Sequence, residues 1–128
     1  MAIQAEDIKK LKKVKRLKHK YRAVRCEADG IKFPSKLERA CYLVLKKMQA
    51  NNQIRFFLRQ VPFDLPSGYV HKIDYCIFTD ENVIFIEAKG KDLPQGKMKR
   101  KQVEDLYLID VFVVKQAVEI YEVVQAYG

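Results

Sequence analysis

The chain has 128 residues, 48% of them hydrophobic and 32% charged, and carries a formal net charge of +9. That length suits one domain with a substantial core and leaves no room for a second, and no run approaches the ~18 apolar residues of a membrane span or the apolar stretch of a signal peptide. Cys26, Cys41 and Cys76 are odd in number, widely spaced and set mostly in apolar patterns, so they read as reduced thiols of a cytoplasmic protein rather than as a disulfide frame or a zinc site.

The charge is concentrated at the N-terminus. Residues 1–25 hold ten Lys and Arg against Glu6 and Asp7, whereas the rest of the chain is nearly neutral. Such asymmetry points to a polyanionic partner, nucleic acid ahead of a membrane surface. In this arm Ile8, Leu11, Val14, Leu17 and Tyr21 form one narrow apolar stripe on a cationic helix. The stripe can dock on the body or on a partner subunit, while Lys12, Lys13, Lys15, Arg16, Lys18, Lys20 and Arg22 remain to meet DNA phosphates; both can hold, because the surfaces differ.

Residues 23–33 carry a short hairpin signal, with Asp29-Gly30 as a turn that asks for positive φ. Pro34-Ser35-Lys36-Leu37-Glu38 then opens a helix. Ser35 and Glu38 have the spacing of a capping box, and Leu37, Cys41, Leu45 and Met48, flanked by Tyr42 and Val44, give an apolar face to about Ala50. Asn51-Asn52 ends it. Residues 54–65 read as extended, with Pro62 marking an edge or bulge and Gln60 as a surface amide.

After a turn at Pro66-Ser67-Gly68, residues 70–89 read as two apolar strands joined at Asp80-Glu81-Asn82. Asp74, Glu87 and Lys89 lie in or beside these runs, where an unpaired charge costs several kcal/mol in order of magnitude. Glu87 and Lys89 are two apart and share a face. A plain hairpin puts Asp74 opposite about Ala88, and a bulge or one-residue slip brings it beside Glu87. Two adjacent carboxylates repel unless a cation lies between them, and all-oxygen ligation suits Mg²⁺ or Mn²⁺. Lys89 is then placed to orient water or to offset charge on a phosphate.

The segment after Lys89 is a loop running into a basic helix, with Lys97, Lys99, Arg100 and Lys101 in its first turn. Cations there oppose the helix dipole, which makes sense if phosphate docks at that end, although a solvated charge run is the simpler reading. The helix continues through Val103, Leu106 and Tyr107. Residues 110–114 then read as a buried strand, and residues 117–127 fit helix or strand, with helix ahead. His19 and His71 are too differently placed to form a paired site; each is expected in solvent or in a hydrogen bond.

This order of elements resembles the PD-(D/E)xK nuclease core, in which a helix carrying an acid precedes three antiparallel strands bearing the Asp and the E-x-K, then a helix and a further strand. The motif stands here as Ile73-Asp74 followed by Glu87-Ala88-Lys89, with isoleucine in place of proline. The longer run DGIKFPSKLERACYLVLKKMQANNQIRFFLRQVPFDL looks like a phage and prophage family of small PD-(D/E)xK proteins that read DGIxFxSKxEAxxYxxLxxLxxxGxIxxLxxQxxFxL. The same architecture is similar to that of phage endonucleases that resolve Holliday junctions. The likeness covers residues 20 to about 114.

The resemblance implies an α/β fold with a mixed central sheet flanked by helices over 23–128, and a basic helical arm over 1–22. It implies Glu38 as the helix acid, Asp74 and Glu87 as metal ligands with the carbonyl of Ala88, and Lys89 as the catalytic lysine. It makes Gln60 a support for a ligand or a DNA contact, and Ser35 a further DNA-binding candidate beside its capping role. The implied activity is Mg²⁺-dependent cleavage of branched DNA, with Mn²⁺ able to substitute, by a homodimer in the bacterial host cytoplasm if the chain is phage-encoded. Two other readings stand beside a Holliday junction resolvase. One is a nicking or end-trimming nuclease of phage replication or packaging, and the other is a nucleic-acid-binding module with vestigial acids.

Overall fold

The computed structural model of the chain describes residues 26–128. The expected arm, 1–22, lies outside them. Packing divides the chain between Lys36 and Leu37 into two units.

In the described part of the first unit, β1 (Cys26–Ala28) pairs with β2 (Ile31–Phe33), Ala28 against Ile31. Asp29 (φ 51°) and Gly30 (φ 74°) connect them, both in the left-handed region that a two-residue turn of this kind requires. The Cys26 thiol donates to the Ser35 carbonyl at 3.3 Å.

The second unit is α/β. Helix α1 (Lys36–Ala50) buries Cys41, Tyr42, Leu45 and Met48 at the expected spacing and stops before Asn52, which adopts φ 60°. Strands β3 (Phe56–Asp64), β4 (Val70–Phe78) and β5 (Val83–Ala88) form an antiparallel meander. Helix α2 (Pro94–Tyr107) then crosses to β6 (Val111–Val114), which runs parallel to β5, and α3 (Glu119–Tyr127) closes the described chain. The sheet is therefore mixed, in the order β3-β4-β5-β6, as expected. No helix among the described residues is long and apolar enough to cross a membrane. Cys41 and Cys76 are buried free thiols, and Cys26 is half-buried.

Two local departures from the sequence reading set up the site. The first lies in β3. Gln60 has φ 51° in the middle of the strand, yet the register is the same on both sides of it, Arg59 against Tyr75 and Val61 against Ile73. Residues two apart in an uninterrupted strand share a face. Here Tyr75 reaches α1, donating its hydroxyl to the Glu38 carbonyl at 2.6 Å, whereas Ile73 packs with Val103 of α2, Leu65 and Val111. The strand pair thus changes face at Gln60 and Asp74.

The second lies in α2. Pro94, whose φ is fixed and whose missing N–H would have no partner there, is the first helical residue, and Lys97 N–H bonds back to Leu93 at 3.0 Å. The expected first turn of Lys97, Lys99, Arg100 and Lys101 is therefore largely the second. Arg100 lies one turn before buried Val103 and points inward with it.

Candidate active site

The β4–β5 register runs from Phe78↔Val83 to Tyr75↔Ile86, and one more step sets Asp74 level with Glu87 rather than Ala88. This is the one-residue offset that brings the two acids together. Asp74 takes two hydrogen bonds, from the Ala88 N–H to Oδ2 at 2.9 Å and from the Gln60 amide to Oδ1 at 3.2 Å. Gln60 is thus a support for Asp74 rather than a routine surface amide. Each Asp74 oxygen accepts one of these bonds and keeps a lone pair.

Glu38 comes to the same place from α1, whose first turn is pinned to β4 by the Tyr75 hydroxyl. Glu38 is 8% exposed, Asp74 6% and Glu87 1%. Burial, reinforced by the Asp74 charge and opposed by Lys89 and Arg59, pushes the Glu38 carboxyl up to about 7. Burial also raises Asp74, and Glu87 adds to this; the Ala88 bond, Lys89 and Gln60 work the other way. Asp74 therefore feels both other acids, and Lys89 acts on Asp74 and Glu38. Three carboxylates and one ammonium from α1, β4 and the end of β5 form one electrostatic cluster.

Glu87 is held differently from the expectation that it faces a metal. Its Oε1 is hydrogen-bonded to His71 Nε2 at 2.5 Å, and its Oε2 accepts from Arg100 Nη1 at 3.2 Å. Arg100 is in turn gripped by both oxygens of Asp92, at 3.2 and 2.6 Å. The Asp92 bond holds the guanidinium pKa above its ordinary value and pulls the Asp92 carboxyl below its own. Arg100, expected to face solvent and contact DNA, is instead 9% exposed inside this network. His71 does sit in a hydrogen bond, as expected, but its partner is the central glutamate.

Sequence reasoning left His71 and Asp92 out of the site and gave Arg100 a different role. The available signal was the spacing of three between Arg100 and Val103, which puts a cation on the inner face of α2.

Of the other expected contacts, Lys97 is exposed, Lys99 is half-buried, and Lys101 is paired with Asp105 at 2.8 Å. Ser35 belongs to the first unit. Lys12, Lys13, Lys15, Arg16, Lys18, Lys20 and Arg22 lie outside the described residues.

The donor chemistry fits a hard divalent ion. The acceptor groups that meet here are carboxylates, which repel one another and supply the all-oxygen ligation such an ion prefers. The Ala88 peptide lies beside Asp74, since its N–H donates there. As the side chains stand, no three of the described His, Cys, Asp or Glu converge closely enough to enclose an ion. Each Glu87 oxygen accepts one bond, from His71 or Arg100, and keeps a lone pair, as the Asp74 oxygens do.

A family model described as "Protein of unknown function (DUF1064)" matches residues 18–116. No curated protein and no solved structure matches the chain.

Proposed function

The chain belongs to the DUF1064 family, and from that premise we propose that it is a Mg²⁺-dependent endodeoxyribonuclease with a PD-(D/E)xK core. It cuts branched DNA, with the four-way junction as substrate and Mn²⁺ able to replace Mg²⁺. The observation that carries this reading is the cluster of Glu38, Asp74, Glu87 and Lys89, brought together by a helix, three antiparallel strands, a helix and a parallel strand. Four ionisable groups converging on apolar strands have no stabilising rationale of their own.

Asp74 and Glu38, with Glu87 and the Ala88 carbonyl, would hold the ion. When bound, it supplies a Lewis acid for the phosphate and a lowered pKa for water. Lys89 donates to a phosphate oxygen and offsets charge that grows as the bond to the leaving oxygen lengthens. The Glu38 carboxylate would accept a proton from a water lined up against the phosphorus. Gln60 keeps the Asp74 carboxylate aimed while these steps occur. The basic arm would track flanking phosphates without reading bases. Paired cuts in a junction need two sites, so the active form is a homodimer.

One observation favours a second reading. Both oxygens of Glu87 are engaged in a network with His71 and Arg100, as they would be in a DNA-binding module whose acids are vestigial. The deciding experiment is cleavage of a labelled immobile junction and its matching linear duplex, in Mg²⁺ and in EDTA, by wild type and Asp74→Ala. Paired metal-dependent nicks on the junction, lost in the variant and rare on the duplex, are expected. Equal cutting of both substrates leaves a general nuclease, and binding without cutting in either metal leaves the module.

A further inference from the structure

The network that holds Glu87 also walls a second concavity. His71, Lys89, Lys91, Asp92, Gln95 and Lys99 line a cavity of about 260 Å³ where the chain leaves β5 and enters α2. Its charge is one-sided. Asp92 is the single carboxylate in the lining, and both its oxygens are committed to Arg100. That leaves three lysines facing the space. This differs from an ordinary solvated charge run, such as Lys101 further along α2, which is neutralised by Asp105 one turn on.

Lys99 is also restrained, its ammonium lying over the Tyr69 ring at 5.8 Å from the centroid. Gln95 adds an amide, and Gly96 in the first turn of α2 lines the same space. A concave surface rich in ammonium groups concentrates field and suits a compact, multiply charged oxyanion better than a planar carboxylate, for which a guanidinium fork is the usual partner.

Lys89 connects this cavity to the acid cluster, since it lines the one and acts on Asp74 and Glu38 in the other. His71 connects them again, through Glu87. We propose that the cavity binds one DNA backbone phosphate next to the scissile one, gripped by Lys91 and Lys99 with Lys89 and His71 at its inner wall. The anion chemistry stands on the cavity itself; its assignment to a DNA strand beside the cut rests on the nuclease reading. Phosphate recognition thereby moves from a row along α2 to a pocket that includes Lys91 and leaves out Lys97, Arg100 and Lys101.

The test compares two full-length double variants that lose the same charge. Lys91→Gln/Lys99→Gln alters the pocket. Lys46→Gln/Lys47→Gln alters exposed lysines on α1 that lie about 12 Å along the helix from Glu38. Junction binding is followed by fluorescence anisotropy in EDTA across a salt series, so that cleavage plays no part, and thermal unfolding checks that both variants fold. The pocket variant is expected to lower the slope of log affinity against log salt by about 0.9, the value of one duplex phosphate contact, and the control to leave it unchanged. Inorganic phosphate is expected to shift the Gly96 amide resonance in wild type and not in the pocket variant.

Equal slopes for the two variants overturn the proposal, because net charge alone then explains binding. A phosphate-dependent shift at Gly96 with no change in the junction slope overturns the DNA assignment in favour of free phosphate. A slope change seen with an RNA duplex and absent with the junction overturns it in favour of RNA. The nuclease reading fails separately, if wild type never cuts in Mg²⁺ or Mn²⁺ while the slope difference persists.

Discussion

Replacing Arg100 with methionine removes the guanidinium from between Glu87 and Asp92 while keeping a flexible apolar stem. The Glu87 side chain is 1% exposed and that of Arg100 11%, so the change strands a carboxylate in the interior with His71 as its remaining hydrogen-bond partner among the described residues. Breaking a buried pair from one side costs about 3–5 kcal/mol. The stem still packs and His71 stays bonded, which places Arg100→Met near the lower end, at about 3 kcal/mol. With an unfolding entropy of about 2.1 cal/mol/K per residue, that is a fall in Tm of about 12 °C. Far-UV circular dichroism melts and urea titrations at neutral pH in EDTA measure it. The companion variant Glu87→Gln/Arg100→Met buries a neutral amide instead and should recover at least half of the loss. A deficit below about 1 kcal/mol for the single variant, the range of an exposed ion pair, would refute the argument, as would a double variant no better than the single one.

Three further outcomes are expected. Asp74→Asn should abolish cleavage, retain junction binding in EDTA and raise Tm, because burial and Glu87 hold the Asp74 pKa above its ordinary value and the fold favours the uncharged form; an unchanged or lower Tm contradicts that. For Glu38, a pKa of about 7 against an ordinary 4.5 means that its contribution to metal-free stability is complete below the lower value and lost as pH rises through the upper one. Ion binding must displace the same proton, so Mn²⁺ affinity by calorimetry should climb with pH to about 7 and level off above, with Glu38→Gln flattening the profile; a flat wild-type profile sinks the assignment. Leu108→Gly should raise the unfolding free energy from urea titration by about 1 kcal/mol, and so raise the midpoint, without affecting cleavage, because Leu108 ends α2 at φ 55° and its side chain, 89% exposed, has little packing to lose. No gain in midpoint would mean that the left-handed backbone is unstrained there.

The elements were legible wherever the signal was local. Asp29-Gly30 declared its turn, the Leu37-to-Met48 spacing declared α1, and the apolar runs on either side of Asp80-Glu81-Asn82 declared the central hairpin. The acids were legible too, because charge inside an apolar run is conspicuous in a bare sequence. What stayed hidden was set by backbone geometry and distance. Nothing in the letters around Gln60 announces a left-handed residue in mid-strand, so strict alternation could not foresee that residues 73 and 75 serve opposite layers. The partners of Glu87 come from positions 71 and 100 and are completed by 92, which no windowed pattern joins. The recoverable clue was the spacing of three between Arg100 and buried Val103, which puts both on the inner face of α2.

The interrupted geometry of β3 bears on how this protein behaves at high concentration. Among the described residues β3 is an outer strand, nine residues long, and Phe56 and Leu58 project from it 44% and 49% exposed. A straight, apolar outer strand of that length invites another chain to add itself, which is how sheets seed fibrils. Gln60 turns the backbone away after four residues, and Pro62 then offers no N–H to an incoming strand. A newcomer would meet no more than a short run of regular edge before the ladder failed. The backbone twist that aims Asp74 therefore also guards the molecule against self-templated aggregation.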